Sequence, residues 1–380
     1  MNDVPGHGNR ARLREAQRVV VKIGSALLTN DSPTIDRAYL HDAATQLAGL
    51  SASGREIILV SSGAVAAGVG ALDLASRPDD VARLQAAAAA GQPALMSMWR
   101  EAFGVRDAAV AQMLLSRSDF DERDRFLNIR NCVASLLDVG CLPIVNENDS
   151  VATEEISLGD NDLLAAKLSA AVRADALVIL TTVEGVRDEA GEVIREAPDA
   201  DQLAGHIRAG GTRMGRGGMR TKLQAARDAA LAGVTTVIAG GRPITNLARV
   251  LNGDDVGTLI PGLASRHGGR RLWIALTATP AGTIDVDPGA AKAICVRGAS
   301  LLAKGITAVT GRFDAGDVVL VRDGHGKEIA RGLCNFDAAD LRRIMGRDSA
   351  EFEGILGLRT HDEAVHRDNL AVTGRSGPAA

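Results

Sequence analysis

Six short runs rich in Val, Ile, Leu and Ala punctuate the first two thirds of the chain, at residues 19–23, 56–60, 108–113, 142–146, 176–181 and 234–239. Most are nearly continuous in apolar residues rather than alternating, as strands covered on both faces require. Helical spacing fills intervals between them, over residues 36–53, 121–139, 161–173 and 219–232. Strand and helix in such alternation build βαβ units. The fold class expected is therefore α/β, an open, mainly parallel sheet sandwiched by helices. After about residue 276 the pattern changes to short, Gly-punctuated runs at 283–286, 294–296, 308–311, 318–321 and 329–333, with one helix over 337–345. Asp323-Gly324 and Asp287-Pro288-Gly289 read as turns between them. The expected organisation is an α/β domain over 15–276 and a small β-rich domain over 281–360. Residues 1–14 and 373–380 are expected to be flexible tails.

Composition removes several function classes. Forty-three Lys and Arg against 47 Asp and Glu leave a net charge of −4, which disfavours a surface devoted to nucleic acid. Nine aromatic residues, from 6 Phe, 1 Tyr and 2 Trp, are too few for a base-stacking platform. The four cysteines form no C-x-x-C and suggest neither a zinc site nor a disulfide framework. The N-terminal residues lack an apolar signal core, and no apolar run is long enough to span a bilayer. A cytoplasmic protein without membrane attachment is expected. There is no G-x-S-x-G, H-E-x-x-H or Walker motif, and none of the seven histidines falls near the strand ends.

Ligands of open parallel sheets bind beyond the carboxyl ends of the strands, and those positions carry the unusual residues. The first strand ends in Lys22-Ile23-Gly24-Ser25. A lysine near the end of a buried strand is costly unless it meets an anion, and the following backbone can receive phosphate. The second strand ends in Ser61-Ser62-Gly63-Ala64, which suits close approach of a ligand or an ordinary helix cap. The fourth ends in Asn146-Glu147-Asn148-Asp149, with Gly159-Asp160-Asn161-Asp162 soon after. Here Asn161 and helix N–H groups could face a carboxylate, while Asp149 or Asp162 could face an ammonium or organise a lysine. Thr181 and Thr182 end the fifth strand. The stretch Arg213-Met214-Gly215-Arg216-Gly217-Gly218-Met219-Arg220-Thr221-Lys222 has the physics of a basic, Gly-rich phosphate loop leading into a helix.

Taken in order, VVVKIGS, SSGAVAAG, QMLLSRSDF, RFLN, PIVNENDSVAT, GDNDLLAAKLS and GRGGMRTKLQAA resemble the glutamate 5-kinase family of the amino acid kinase superfamily. The later AKGITAVTGRFDAGDVVLV resembles a PUA domain. The resemblance runs from about residue 18 to residue 370. It implies ATP-dependent phosphorylation of the L-glutamate side chain to L-glutamyl 5-phosphate, with Mg²⁺ accompanying ATP and no direct protein ligand for the metal. By motif, Lys22, Lys222 and Asp162 match the catalytic positions, and Ser62, Asp149 and Asn161 the glutamate-binding ones. ATP-binding positions are matched by Lys22, Gly24, Ser25, Thr181, Thr182, Arg216, Gly217, Gly218, Met219, Arg220, Thr221 and Lys222. The resemblance further implies proline as feedback inhibitor, a homo-oligomer (dimer or tetramer) and hand-off of the product to glutamyl phosphate reductase.

One loop departs from the family pattern. Thr182 stands where an Asp is usual and Arg187 where a Tyr is usual, so the strictness of ATP preference stays open. Aspartokinase, acetylglutamate kinase, carbamate kinase and uridylate kinase share the fold, and the NENDSVAT and GDND segments with the PUA-like tail separate this chain from them. Outside catalysis, a PUA-like domain suggests RNA binding, and residues 266–271 form a local basic cluster. A regulatory protein that binds glutamate or proline without turnover is disfavoured by Lys22 and Lys222.

Overall fold

The structure is a computed structural model that describes residues 7–29, 34–151, 160–205, 213–263, 273–275, 279–357 and 361–373. The chain divides into two compact units, Met1–Asp119 with Asp124–Ser265, and Phe120–Arg123 with Arg266–Ala380. The basic cluster at 266–271 lies outside the described residues.

The first unit opens with α1 (His7–Glu15), β1 (Arg18–Ile23), α2 (Ser25–Leu28), α3 (Arg37–Ala52), β2 (Glu56–Ser61), α4 (Ala64–Ala71) and α5 (Val81–Gly104). It continues with β3 (Val110–Leu115), α6 (Arg123–Asp138), β4 (Leu142–Glu147), α7 (Asp160–Ala171) and β5 (Ala176–Thr181). The remaining elements are α8 (Ala200–Ala204), α9 (Arg213–Leu231), β6 (Thr235–Gly240), α10 (Asn246–Leu251) and β7 (Thr258–Ile260). The seven strands lie in the order β3-β4-β2-β1-β5-β6-β7. All pairs are parallel except β6 with β7. β1 is central, with β2 on one side and β5 on the other. The order reverses there, which places a crevice at the carboxyl end of β1.

Parity along β1 divides its side chains. Val19, Val21 and Ile23 join Leu40 and Leu47 of α3 in the principal core. Lys22, of opposite parity, reaches Asp162 of α7. Contact between α4 and α5 is backbone to backbone. A Cβ on Gly68 would stand 1.8 Å from the Ala87 carbonyl oxygen, and one on Gly91 would stand 1.9 Å from that of Ala64. The Ala-rich run from Gln85 to Gly91 is therefore a packing seam, with Ala87 and Ala88 buried.

Several expectations change. Residues 7–14 are part of α1 and not a flexible tail, because the buried Arg10 fastens them. Its guanidinium donates to the carbonyls of Arg195 (2.7 Å), Asp254 (2.8 Å), Val256 (3.1 Å) and Gly257 (3.2 Å). β3 begins at Val110 instead of residue 108, after a turn in which Asp107 has φ 52°. As the outer strand of the sheet it is only partly buried, so its apolar run marks its ends poorly. The short antiparallel β7 and the helices α4 and α5 were not among the expected elements.

The second unit contains β8 (Gly282–Val286), α11 (Pro288–Arg297), β9 (Ile306–Gly311), β10 (Val318–Arg322), β11 (Glu328–Leu333), α12 (Ala338–Ile344), α13 (Phe352–Leu356) and β12 (Leu370–Val372). Its sheet runs β12-β11-β10-β8-β9, parallel only between β8 and β10. Val319, Val321, Leu341 and Phe352 are buried in its own core. Residues 294–296, expected as a strand, belong to α11. Asp287 caps that helix by accepting from the Ala290 N–H at 2.7 Å, and Pro288 opens it. The segment read as a turn is thus a helix start.

Candidate active site

The crevice at the carboxyl end of β1 is lined by residues from most of the strand-end motifs. Lys22, Gly24, Ser25, Ser62, Asp149, Asn161, Asp162, Thr181, Thr182, Gly218 and Lys222 all face it. Its centre is a three-membered charge bridge. Lys22 Nζ lies 2.7 Å from Asp162 Oδ1, and Lys222 Nζ lies 2.9 Å from Asp162 Oδ2. β1 supplies the first lysine, the first turn of α7 the carboxylate, and α9 the second lysine. Asp162 has no solvent exposure and Lys22 only 4%.

Burial favours the neutral form of Lys22 and lowers its pKa, Asp162 opposes this, and Lys222 adds to it. Burial also works to raise the Asp162 carboxyl. The charges of the two ammonium groups and their hydrogen bonds outweigh it and hold Asp162 below the usual carboxylate range. Two cations around one anion leave the bridge with a net positive charge. Gly24 makes room for it, since a Cβ there would stand 3.2 Å from Lys22 Nζ.

α9 begins at Arg213, so the stretch expected as a Gly-rich loop is helical. Gly218 and Lys222 stand one turn apart, and the Lys222 ammonium also donates to the Gly218 carbonyl at 3.1 Å. The Thr221 hydroxyl lies 3.0 Å from that carbonyl and 3.4 Å from Asp162. Met219 and Arg220 are not among the lining residues, and Arg220 is exposed. The side chain of Arg216 and the surroundings of Gly217 lie outside what the structure describes.

The wall on the β2–β4 side is a chain of amides. Asn161 Nδ2 donates to Ser62 Oγ at 3.1 Å and to Asn146 Oδ1 at 3.0 Å. Its Oδ1 accepts from the Glu147 backbone N–H at 3.1 Å. Asn146 and Glu147 are buried within β4, and of the four polar residues from Asn146 to Asp149, Asp149 alone lines the crevice. Sequence reasoning missed Arg77, an exposed cation lining the crevice from the segment between α4 and α5. Its only signal is a basic residue before Pro78, which is too common to single out. Among the described residues no cluster of three or more His, Cys, Asp or Glu is placed to hold a metal.

Comparison with known proteins agrees with this architecture. Residues 17–240 match the amino acid kinase family and residues 282–356 the PUA domain. The chain belongs to the amino acid kinase family. Its relatives include glutamate 5-kinase from Variovorax paradoxus, 42% identical over 95% of this chain and 97% of the relative. Glutamate 5-kinase from Stutzerimonas stutzeri is 45% identical over 95% of this chain and 99% of that one. Among solved structures, N-acetylglutamate synthase from Neisseria gonorrhoeae, complexed with coenzyme A and N-acetyl-glutamate, matches with a TM-score of 0.51 at 17% identity. The match covers 70% of this chain and 65% of that one, and the likeness is one of fold.

Proposed function

We infer that this chain transfers the γ-phosphoryl group of ATP to the side-chain carboxylate of L-glutamate, giving L-glutamyl 5-phosphate in the first step of proline biosynthesis. The observation that carries this is the Lys22–Asp162–Lys222 bridge in the crevice. A glutamate side chain with a reference pKa of ~4.3 is already a nucleophile at neutral pH, so no general base is required. The difficulty is charge. Two unit negative charges about 3.3 Å apart at an effective dielectric of ~20 repel by about 5 kcal/mol. Two fixed ammonium groups offset a repulsion of that size without reorganising.

In the step, a carboxylate oxygen forms a bond to the γ-phosphorus while the bond from that phosphorus to the bridging oxygen breaks. The electron pair of that bond leaves with ADP. Lys22 and Lys222 stabilise the charge on the transferring group and the departing oxygen, and Asp162 fixes their positions. Mg²⁺ would accompany ATP. Both Asp162 oxygens are engaged by lysines, so that carboxylate would not hold the metal, which would supply charge neutralisation at the phosphates. Gly24, Ser25, Thr181, Thr182 and Gly218 form the nucleotide side.

On the amino-acid side, Asp149 meets the ammonium of glutamate and Ser62 donates to a carboxylate. Asp149→Asn raises KM for glutamate by at least about tenfold with KM for ATP within about twofold, since a hydrogen bond to a charged group contributes ~1.5–3 kcal/mol. Steady-state kinetics with each substrate varied checks this, and equal effects on both constants remove Asp149 from the amino-acid side.

Hydroxylamine trapping tests the whole reading, because it converts an acyl phosphate to a coloured hydroxamate. Signal is expected with ATP, Mg²⁺ and L-glutamate, suppressed by proline as feedback inhibitor. Signal with L-aspartate alone moves the acceptor specificity to another amino acid. The further expectations are a cytoplasmic homo-oligomer, dimer or tetramer, that passes its unstable product to glutamyl phosphate reductase. RNA binding by the PUA domain is a separate reading, and a salt-sensitive gel shift tests it. Among the described residues no helix is long and apolar enough to cross a membrane.

A further inference from the structure

Gln92 is buried in the middle of α5, just after the Ala-rich seam, and lines a neighbouring cavity with Asp149 rather than the crevice that holds Lys22. A glutamine there carries a desolvation cost that the neighbouring alanines do not. We propose that Gln92 is a positioning residue that sets the polarity of the amide chain and thereby makes Ser62 a hydrogen-bond donor toward the amino-acid substrate. The proposal rests on the reading that Ser62 binds glutamate.

The argument follows the donors. Gln92 Oε1 accepts from Asn146 Nδ2 at 2.8 Å. That bond turns the nitrogen of Asn146 toward α5 and leaves its Oδ1 facing Asn161. Asn161 must then present its nitrogen to Asn146, as the 3.0 Å contact shows. A side-chain amide nitrogen has two hydrogens. The second goes to Ser62 Oγ at 3.1 Å, and Asn161 Oδ1 is held by the Glu147 N–H. Asn161 therefore has no amide hydrogen left for a ligand, and it acts through Ser62.

Ser62 Oγ is an acceptor on its Asn161 side, so its single hydrogen points elsewhere. Among the described residues nothing is recorded as accepting it, and Ser62 lines the crevice. A reversed chain would let the hydroxyl donate to Asn161 and turn lone pairs toward an incoming carboxylate. The Ser62 main chain is fixed independently. Trp99 Nε1 donates to Ser61 Oγ at 3.0 Å, and Ser61 Oγ donates to the Ser62 carbonyl at 2.9 Å. Next to Gln92, Gly91 lets α5 pack against α4 without a side chain between them.

A kinetic cycle on the full chain with Gln92→Leu, Ser62→Ala and the double variant tests this. Ser62→Ala raises KM for glutamate by at least about tenfold, the scale of a lost bond to a charged group. Gln92→Leu is expected to raise it by about three- to tenfold, with KM for ATP within about twofold. Loss of the acceptor weakens the chain's preference without removing a ligand. The double variant matches Ser62→Ala within about twofold, because Gln92 acts through Ser62. Gln92→Glu, which keeps an acceptor toward Asn146, stays closer to the wild-type KM than Gln92→Leu. If Ser62→Ala leaves KM for glutamate unchanged, the underlying reading of Ser62 fails. If Ser62→Ala acts while Gln92→Leu does not, or the two effects multiply, the role assigned to Gln92 is overturned. Gln92→Met repeats the cycle, so that misfolding of one variant does not decide it.

Discussion

Asp162→Ala is expected to lower stability by about 3–5 kcal/mol, because it leaves two ammonium groups in a buried site with no carboxylate between them. Lys22 is almost wholly buried, and Asp162 is the anion it pairs with. Turnover falls to background at the same time, since the mutual repulsion of the lysines displaces both from the phosphoryl position. Denaturant unfolding monitored by circular dichroism checks the first effect and hydroxamate formation the second. Saturating ATP recovers part of the stability, because the phosphates replace the missing negative charge and a bound ligand favours the folded state. The pH dependence has a defined sign. The folded-state carboxyl lies below its ordinary range, so its contribution is complete above the unfolded value of ~3.9. It erodes as the pH falls below that value and is gone below the folded-state pKa. The stability gap between wild type and Asp162→Ala should therefore be wide at neutral pH and narrow in acid. A gap that does not change with pH means that the carboxylate charge is not what the bridge supplies.

Lys22→Ala is expected to lower kcat by about 10²–10³-fold while KM for glutamate moves by less than about threefold. The lysine is held between Asp162 and the crevice, where charge changes most as the phosphoryl group transfers. Its interaction strengthens between ground state and transition state, which is the condition for an effect on kcat. Folding should survive better than in Asp162→Ala, because Lys222 remains to pair with the carboxylate. A fall in affinity for ATP with unchanged kcat would make Lys22 a binding group only.

The strand ends were legible because buried parallel strands are nearly all apolar, so a Lys or an Asn-Glu-Asn-Asp at their termini stands out. Ala176–Thr181 keeps its expected bounds for the same reason, with residues 176–180 all fully buried. Where burial is partial, as in β3, the boundaries drifted. The α9 and α11 segments were misread through glycine and proline. Gly215, Gly217 and Gly218 suggested a loop, and the helix nevertheless runs through them from Arg213. Asp287-Pro288-Gly289 suggested a turn, and the first two serve as cap and first residue of a helix. Arg77 and Gln92 left no local signal that singles them out. One is an isolated cation and the other an isolated amide beside a run of alanines, and only their spatial neighbours give them meaning. Asn161 was legible as a residue of the site but not as a donor already committed to Ser62 and Asn146.

The reversal of strand order at β1 has an evolutionary consequence. In the proposed reading the amino-acid wall is built from β2, β4 and the start of α7, while β5 and most of α9, later in the chain, form the nucleotide side. The Asp162 bridge is held in common. Apart from Gly24 and Ser25 beside β1, mutations that retune one pocket therefore fall on a stretch of gene separate from those that retune the other. A descendant can acquire a new acceptor while inheriting its phosphate donor intact.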